Sequence, residues 1–455
     1  MSSHTTFCRH LCRPRPYHPD AYYDALETAS RDRIRDAQLK RLSRQLRHVY
    51  QHSPFYRAKF DQAGLRLGDI QTWDDVRKIP FTRREELEES QEESPLFGNF
   101  ACLPPSSGVR YFQTSGTRGT PLHIFFTARD WFGLYRQENV YMACAYGVRP
   151  QDTLFVPSHY SLYIAWWAFQ TALESLGVAT IPGGGQSSET RVKNILEWEA
   201  TIVCGTPTYM LYLAEVAERM GIDLASRSRV RMVVVGGEPG ACIAASKKRL
   251  EEAWGAKCYD DYGSTEMGGI GYECVAQEGL HINEAMFLAE VVGPESSGPV
   301  PPGQPGELVL SNLCMESMPL IRHRTGDCVN LTEERCACGR TFARAKGGIL
   351  GRSDDMINIA GINVFPSVIE NFVHSVNELA NEFQIVLPAQ SRPGSRLKIR
   401  VEPAVGVGRE ALRRGIAKLV ETVRWRVGLT PEVNGVPVGT LPRSEGKANK
   451  IVKEE

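Results

Sequence analysis

The stretch VRMVVVGGEPG, residues 230–240, sets the fold class of this chain. Its apolar run ends in glycines, which permit a tight turn and a close approach of the backbone to a ligand. Helical stretches at 209–220 and 244–254 lie on either side of it. Similar short apolar runs precede it in the chain, at 153–158 (TLFVPS), 178–183 (VATIPG) and 200–205 (ATIVCG). This alternation predicts an α/β fold with mostly parallel, buried strands.

A change of composition at GRSDDMINIAG, residues 351–361, predicts a domain boundary near Asp354. Beyond this segment, the strand patterns EFQIVLP (382–388) and RLKIRVEP (396–403) and a helix pattern around 409–427 are typical of a small α+β domain. We therefore expect residues 1–353 to form a large N-terminal domain with mostly parallel sheets and helices. Residues 354–455 are expected to form the C-terminal domain.

The first part of the chain is predicted to be helical over residues 22–65, with a break at Ser53-Pro54. Beyond it, Pro80 marks a turn. We expect Thr82 to cap the helix that follows, with Glu85 completing a capping box.

Composition excludes several classes of partner. The chain has 455 residues, and its 53 Lys and Arg balance 53 Asp and Glu. A balanced charge gives no electrostatic reason to expect binding to nucleic acid or to an anionic membrane. No apolar run reaches the roughly 18 residues of a membrane span, and the polar, basic start lacks the apolar core of a secretory signal. We therefore expect a cytoplasmic protein with mostly reduced thiols.

Two cysteines differ in setting from the others among the 12 in the chain. Cys336 and Cys338 form a C-x-C pair followed by glycine, which lets backbone N–H groups turn toward thiolates as in a metal knuckle. With Cys274 and His281 they would complete a closed tetrahedral set for a structural Zn²⁺ ion. The alternative is four unrelated residues. We expect the following to be small core residues: Cys102, Cys144, Cys204, Cys242 and Cys258.

The stretch YFQTSGTRGTP, residues 111–121, has the composition of a phosphate-binding loop. Glycines let successive N–H groups point to one side, and hydroxyls add donors for anionic oxygens. The loop lacks the Walker pattern, and an ordinary polar turn is the alternative. The residues predicted to bind phosphate are Thr114, Ser115, Gly116, Thr117, Gly119 and Thr120.

Four further motifs follow in order: YGSTE (262–266), RHRTGD (322–327), GRSDDMINIAG (351–361) and LPRSEGK (441–447). In order and spacing they resemble the adenylate-forming superfamily of acyl-CoA synthetases, luciferases and peptide-synthetase adenylation domains. Other segments are similar to the phenylacetate–CoA ligase branch: 38–60, IPFTRREEL (79–87), GGEPG (236–240) and LPRSEGKANKIV (441–452). The resemblance covers essentially the whole chain. It departs from the superfamily at Arg118, where Thr or Ser is common, and in having EGK rather than SGK.

The resemblance implies roles for individual residues in joining a carboxylate to the α-phosphate of ATP. Lys447 would bridge the acid and the α-phosphate, Glu266 would bind Mg²⁺, and Thr265 and Arg352 would contact phosphates. The nucleotide-binding residues would be Tyr262 on the adenine, Asp327 on the ribose, the turn residues Gly237, Glu238 and Pro239, and Asp260 and Gly263. Each of three residues also has a purely structural alternative to its implied role. Glu266 would be an acid at a helix N-terminus, Asp327 a turn residue and Lys447 a solvated lysine.

The same resemblance implies that the C-terminal domain is mobile. It would rotate about Asp354 between an arrangement for adenylation and one for thioester formation. Gly361 would then face the pantetheine in the second arrangement.

The acid-binding pocket is expected near PSHYSLYIAWW, residues 157–167. His159, Tyr160 and Trp166 are candidates to line it, because aromatic faces suit a planar aryl acid. A core position is the alternative for Trp166.

The main hypothesis is an aryl-CoA ligase that converts ATP, an aryl acid and CoA to aryl-CoA, AMP and pyrophosphate. The alternative acceptor of the acyl group is a carrier-protein phosphopantetheine or an amine. A different functional class is also an alternative, namely a non-enzymatic nucleotide-binding scaffold. The intact Glu266, Asp327 and Lys447 disfavour the scaffold. A homodimer is compatible with the resemblance.

Overall fold

A computed structural model of the chain describes residues 22–114, 120–293, 298–301, 303–359, 362–387, 396–444 and 450–453. The chain divides into two compact units, Met1–Ile181 with Asp261–Gly348 and Pro182–Asp260 with Ile349–Glu455. Within the described residues, no helix is both long and apolar enough to cross a membrane. The boundary near Asp354 remains a prediction.

The helices among the described residues are α1 Arg31–His52, α2 Pro54–Gln62, α3 Arg84–Glu93, α4 Arg136–Tyr146, α5 Ala165–Ser175, α6 Ser188–Glu197, α7 Pro207–Arg219, α8 Leu224–Arg227, α9 Ala244–Trp254, α10 Pro366–His374 and α11 Arg409–Val427. The strands are β1 Gly108–Gln113, β2 His123–Thr127, β3 Thr153–Val156, β4 Ala179–Pro182, β5 Ile202–Gly205, β6 Met232–Gly236, β7 Lys257–Ser264, β8 Gly268–Tyr272, β9 Leu280–Ile282, β10 Phe287–Val292, β11 Gly306–Asn312, β12 His323–Thr332, β13 Arg344–Arg352, β14 Ile357–Ile359, β15 Ile362–Val364, β16 Leu379–Leu387, β17 Lys398–Pro403, β18 Glu432–Gly435 and β19 Ile451–Lys453.

The first helices form as predicted, with a break at Ser53. Pro54 opens α2 at a position where its missing N–H leaves no hydrogen bond unmade. The Ser53 hydroxyl accepts the N–H of Tyr56 at 3.3 Å and caps α2.

The predicted cap of α3 is wrong. The helix begins at Arg84, and the backbone N–H of Arg83 donates to the Glu86 carboxylate at 2.7 Å. Thr82 does not cap α3, because its hydroxyl donates to the carbonyl of Ile321 at 2.7 Å and its backbone forms a β-bridge with His323. A tertiary contact therefore takes the hydroxyl that local sequence assigned to the helix.

Most strands of the first unit pair in antiparallel fashion. Neighbouring strands of the large sheet follow the order β10, β11, β12, β13, β9, β8 and β7. The pairs β10–β11, β11–β12, β13–β9, β9–β8 and β8–β7 are antiparallel. Parallel pairing was expected here. The reason for the difference is connection length, since the three residues between β7 and β8 can join only antiparallel neighbours.

The second unit contains the parallel pairing that the sequence predicts. β5 lies parallel to β6, and both strands are buried throughout. The helices α7 and α9 pack against each other, and the buried indole of Trp254 donates to the carbonyl of Met210 at 3.1 Å. The mixed α/β class is thereby confirmed.

The last hundred residues of the second unit form a small α+β fold. Its sheet has the order β18-β17-β16-β19, and β14 pairs with β15 as a hairpin. Side chains of α10, α11 and the sheet share one apolar core, which includes Ile369, Ile385, Leu419 and Val423. The helix predicted at 409–427 and the strands around 383–387 and 396–403 are present.

Candidate active site

The ends of the predicted phosphate loop are tied together at the base of a hairpin. β1 and β2 are antiparallel, and Thr114 lies at the end of β1 with its hydroxyl accepting the N–H of Leu122 at 2.9 Å. Thr120 marks the other end of the loop. Four predicted loop residues lie outside the described residues: Ser115, Gly116, Thr117 and Gly119.

Arg84, which the sequence reasoning did not select, joins the loop to the predicted magnesium ligand. One Nη of its guanidinium donates to the Thr114 hydroxyl and to the Thr120 carbonyl, each at 3.2 Å. The other lies 3.9 Å from the Glu266 carboxylate, and Nε donates to Glu88 at 2.8 Å. Arg84 belongs to the segment IPFTRREEL (79–87), which carries part of the family resemblance and the predicted helix cap. Neither feature identifies Arg84 as a partner of the phosphate loop.

Glu266 lies in the short turn between β7 and β8, so it is not the helix N-terminal acid of the alternative interpretation. Thr265 is buried, whereas the Glu266 side chain remains 13 % exposed. The turn is tight because a Cβ at Gly263 would lie 2.5 Å from the carbonyl oxygen of Gly268. Glycine at 263 therefore lets the two strands approach closely and holds Glu266 at the strand ends.

Tyr262 and Asp327 meet directly. The Tyr262 phenol donates to the Asp327 carboxylate at 2.7 Å, across from β7 to β12. Asp327 lies within a strand, not at a turn, and the backbone of Gly326 before it has φ 76°. The side chains predicted to contact adenine and ribose are thus neighbours, which suits two parts of one nucleoside.

A buried acid lies behind this turn. Glu138 of α4 has no solvent exposure, and its carboxylate accepts the N–H of Gly269 at 3.3 Å. Burial raises the pKa of Glu138 well above its usual value. The phenol of Tyr135 beside it has no hydrogen-bond partner among the described residues, and a Cβ at Gly268 would collide with both side chains. No sequence pattern had pointed to Glu138 or Tyr135.

In the second unit, the GGEPG turn follows β6 as predicted. Gly237 has φ 87°, a backbone conformation that favours glycine, and Pro239 is half-buried. The Glu238 carboxylate accepts the N–H of Thr208 at 2.9 Å and so caps the first turn of α7. Asp260 is buried in β7. These positions are compatible with a nucleotide wall, and their ligand contacts remain predictions.

The predicted phosphate contact Arg352 pairs with the predicted hinge. Its guanidinium donates to the Asp354 carboxylate at 3.0 and 3.3 Å, and both side chains are partly exposed. Asp354 lies in a single 3₁₀ turn between β13 and β14. Lys447 and Gly361 lie outside the described residues.

The predicted acid-pocket residues differ in exposure. His159 is exposed, Tyr160 is half-buried with its phenol donating to Gln170, and Trp166 is 3 % exposed. The ring of Tyr160 lies edge-on to Trp167 with centroids 4.5 Å apart. The burial of Trp166 fits the core alternative as well as a pocket wall.

A cation borders this segment. The Arg110 guanidinium lies 4.9 Å from the ring centre of Trp167 and 5.4 Å from that of Trp131, so indoles stack on it. The indole N–H of Trp131 is buried without a hydrogen-bond partner among the described residues. Aromatic faces and polar donors therefore occur together beside residues 157–167.

The predicted zinc ligands converge. Ligand atoms of Cys274, His281, Cys336 and Cys338 all lie within 4.8 Å of one another. The Cys274 and Cys336 sulfurs are 3.6 Å apart, and the Cys338 sulfur is 3.7 Å from the His281 Nε2. The hydrogen bond between the Cys274 and Cys338 thiols lowers the pKa of Cys338 and raises that of Cys274, so Cys338 is the one of the two favoured as thiolate.

The surroundings orient this cluster. The other ring nitrogen of His281 lies 3.3 Å from the carbonyl of Phe342, which leaves Nε2 to face the sulfurs. Gly339 has φ 89° and its N–H donates to the carbonyl of Cys336 at 2.9 Å, so the predicted knuckle turn is present. Tyr22 donates to the carbonyl of Cys338 at 2.8 Å and ties the start of the described chain to the knuckle.

None of the other described cysteines is joined in a disulfide bond. Four of the five expected core cysteines are buried, Cys102, Cys144, Cys204 and Cys258. Cys242 is only half-buried, because it lies in the connection between the GGEPG turn and α9 rather than inside a strand, and its thiol donates to the carbonyl of Ile349 at 3.7 Å.

Comparison with known proteins gives consistent matches. Residues 52–317 match the AMP-binding enzyme family, and residues 361–454 match the AMP-binding enzyme C-terminal domain. The chain is 34 % identical to a phenylacetate-coenzyme A ligase of Thermus thermophilus, over 93 % of this chain and 97 % of that protein. It is 33 % identical to a phenylacetate-coenzyme A ligase of Escherichia coli, over 94 % and 96 %.

Solved structures agree. A 2-hydroxyisobutyryl-CoA ligase in the postadenylation state, in complex with 2-HIB-AMP, superposes with a TM-score of 0.89 at 28 % identity, covering 96 % of this chain and 95 % of that one. The same ligase with 2-HIB-AMP and CoA in the thioesterification state gives a TM-score of 0.71 at 29 % identity, with coverage of 96 % and 95 %.

Proposed function

This chain belongs to the AMP-binding enzyme family, and on that premise we propose that it activates an aromatic carboxylic acid with ATP and transfers the acyl group to CoA. The similarity to phenylacetate-coenzyme A ligases extends over nearly the whole chain and confirms the predicted branch. The chain is thus an AMP-forming acid–CoA ligase. The aromatic nature of the acid is the proposed refinement.

The observation that carries the proposal is the position of Arg84. It contacts both ends of the predicted phosphate loop, at Thr114 and Thr120, and lies beside the Glu266 carboxylate. Polyphosphate oxygens need cations and N–H donors on one side and a hard metal ligand on the other. This corner of the first unit offers both, because Arg84 at the start of α3 lies 3.9 Å from the Glu266 carboxylate in the turn between β7 and β8.

The chain's own residues suit acyl adenylation. The Tyr262 ring and the Asp327 carboxylate are held together for a nucleoside, since the carboxylate accepts hydroxyl donors well. Lys447 would place an ammonium between the acid and the α-phosphate, where two anions must approach. Mg²⁺ bound at Glu266 would neutralise phosphate charge.

An aryl acid is favoured by the aromatic character of the segment 157–167. Tyr160 and Trp167 already pack ring against ring, and Arg110 adds a cation stacked on indoles. A planar ring can stack in such surroundings with its carboxylate directed at a cation. His159, Tyr160 and Trp166 remain the proposed lining residues.

We also propose a structural Zn²⁺ ion at Cys274, His281, Cys336 and Cys338. Tetrahedral Zn²⁺ with Zn–S near 2.3 Å and Zn–N near 2.0 Å places neighbouring ligand atoms about 3.5–3.8 Å apart. The sulfur–sulfur and sulfur–nitrogen distances of 3.6 and 3.7 Å fit this geometry. The ion would cross-link segments far apart in the chain, and no open position for a substrate is implied.

Residues 354–455 are proposed to act as a mobile domain that turns about Asp354. The ion pair between Arg352 and Asp354 lies on the surface, so breaking it would cost little. The match of residues 361–454 to a separate C-terminal domain supports an independent folding unit. A cytoplasmic location and a homodimer remain the proposals for compartment and assembly.

The experiment is pyrophosphate release with a panel of benzoates, phenylacetates and cinnamates, each with and without CoA. An aryl acid that releases pyrophosphate and yields a CoA thioester by mass supports the proposal and names the substrate. Pyrophosphate release with CoA left unmodified would move the acceptor to a carrier-protein phosphopantetheine or an amine. No release with any acid would favour the scaffold reading.

A further inference from the structure

Within the second unit, Arg249 of α9 makes a set of contacts that the nucleotide motifs do not explain. Its guanidinium donates to three backbone carbonyls of the segment that follows α10: His374 at 2.8 Å, Val376 at 2.8 Å and Leu379 at 3.1 Å. It also donates to the side-chain oxygen of Asn381 at 2.8 Å. All three nitrogens of the guanidinium are therefore used on one short stretch of chain.

Asn381 is held from a second side. Its amide nitrogen donates to the Glu215 carboxylate of α7 at 2.6 Å. One amide thus accepts from a cation on α9 and donates to an anion on α7, which fixes its orientation. We call Arg249, Asn381 and Glu215 the dock.

Two further polar contacts lie beside the dock. The N–H of Ala245, in the first turn of α9, donates to the Asn371 side chain at 3.1 Å. The Ser246 hydroxyl lies 2.7 Å from the Nδ1 of His374. The first two turns of α9 are therefore joined to α10 by hydrogen bonds.

The apolar core behind α10 does not depend on these contacts. The cluster that contains Ile369, Ile385 and Leu419 is formed entirely by residues between 357 and 433. Hydrogen bonds can be exchanged for water at small net cost, whereas an apolar interface cannot. The dock is thus of a kind that can form and separate while the small α+β fold stays intact.

The dock lies at the start of the strand that carries the end of the chain. Asn381 belongs to β16, which pairs in parallel with β19. The N–H of Ile385 donates to the carbonyl of Lys450 at 2.8 Å, and the Lys450 ammonium donates to Glu370 of α10 at 2.6 Å. Lys450 follows Lys447 by three residues, so β16 and α10 support the segment that carries the proposed catalytic lysine.

We infer that Arg249, through Asn381 and Glu215, is a positioning residue for the adenylation half-reaction. The dock holds β16 and α10 against α7 and α9, and β16 and α10 in turn hold Lys450, which follows Lys447 by three residues. In the proposed mechanism Lys447 serves only adenylation, so thioester formation should not need the dock. This inference rests on the proposed function, in which Lys447 serves adenylation.

The test compares the two half-reactions in full-length variants. Adenylation is followed by ATP–pyrophosphate exchange with phenylacetate or the best acid of the panel. Thiolysis is followed by CoA attack on the supplied acyl adenylate. For Arg249→Met we expect exchange to fall about 30-fold, because several hydrogen bonds to a charged donor are lost, and thiolysis to stay within about threefold. Lys248→Met, on the exposed face of α9, is the matched control and should leave both rates unchanged.

A second pair of variants tests the geometry without removing the arginine. Asn381→Asp places a carboxylate against the Glu215 carboxylate and should lower the rate of ATP–pyrophosphate exchange. Adding Glu215→Gln should restore it to within about threefold of the wild type, because the glutamine amide can donate where the asparagine amide did. A double variant as weak as Asn381→Asp, or an Arg249→Met enzyme that loses both half-reactions equally, would overturn the inference.

A measurement without substrate separates failure of this inference from failure of the proposed function. Hydrogen exchange should speed up over residues 376–387 in Arg249→Met and stay unchanged in Lys248→Met. If the wild type shows no pyrophosphate exchange with any acid, the proposed function fails. If exchange protection of 376–387 is the same in Arg249→Met and wild type, the dock does not hold this segment and the inference fails, whatever the acid.

Discussion

Replacing Arg84 by methionine is expected to weaken the use of ATP while sparing the second half-reaction. Methionine keeps the length of the side chain and its helix preference but removes the cation and its donors. The two hydrogen bonds from the guanidinium to Thr114 and Thr120 would be lost. Of the described contacts that tie the ends of the phosphate loop together, the β1–β2 hairpin would then remain.

The magnitude follows from these contacts. A buried hydrogen bond to a charged group contributes about 1.5–3 kcal/mol, and solvent reduces this for the Arg84 side chain, which is 31 % exposed. At ~1 kcal/mol for each of two bonds, the loss is ~2 kcal/mol, or about 30-fold in kcat/KM for ATP. The kcat/KM for ATP of Arg84→Lys should lie between those of the wild type and Arg84→Met. Lysine keeps the charge but lacks the planar guanidinium that donates to two acceptors at once.

The assay is ATP–pyrophosphate exchange at varied ATP, together with thiolysis of the supplied acyl adenylate by CoA. Arg83→Met is the matched control, because Arg83 is the exposed neighbour and only its backbone N–H bonds to Glu86. A kcat/KM for ATP in Arg84→Met within about threefold of the wild type would refute the reasoning. So would an equal loss of thiolysis, since that would indicate a general folding defect.

Lys447→Ala should abolish pyrophosphate formation while thiolysis of a supplied acyl adenylate survives, and equal loss of both would remove the assigned role. Protein prepared without added zinc should contain about one Zn per chain by metal analysis, and Cys338→Ser should lose most of it; wild-type protein without zinc would return the four ligands to ordinary structural residues. Glu138→Gln should raise the melting temperature more at about pH 8 than at about pH 5. Burial raises the pKa of Glu138 in the folded state, so the wild type loses stability as the pH rises from the ordinary carboxyl pKa toward that raised value, and the amide variant does not. A difference that does not change with pH would contradict this account.

Local signals were sufficient for elements whose stabilising contacts lie close in sequence. The break at Ser53-Pro54 follows from the missing N–H of proline. The helix at 409–427 follows from its apolar periodicity, and the buried strand before GGEPG from its continuous apolar run. The cap of α3 was misassigned because Thr82 bonds to Ile321, about 240 positions away in the chain, and no local rule contains that competition.

By itself, the sequence determined the chemistry of this protein: the order of its motifs indicates an acid-activating ligase. The C-x-C-G knuckle at 336–339 suggested a metal site with Cys274 and His281, but that the four side chains meet is shown only by the structure. Only the tertiary structure decided which side chains share a site. Arg84 donates to Thr114 at the end of the phosphate loop, and Arg249 donates to Asn381, because chain segments distant in sequence fold together. Hydrogen bonds of this kind depend on distances of about 3 Å between atoms, and a sequence pattern carries no such distances across a hundred residues.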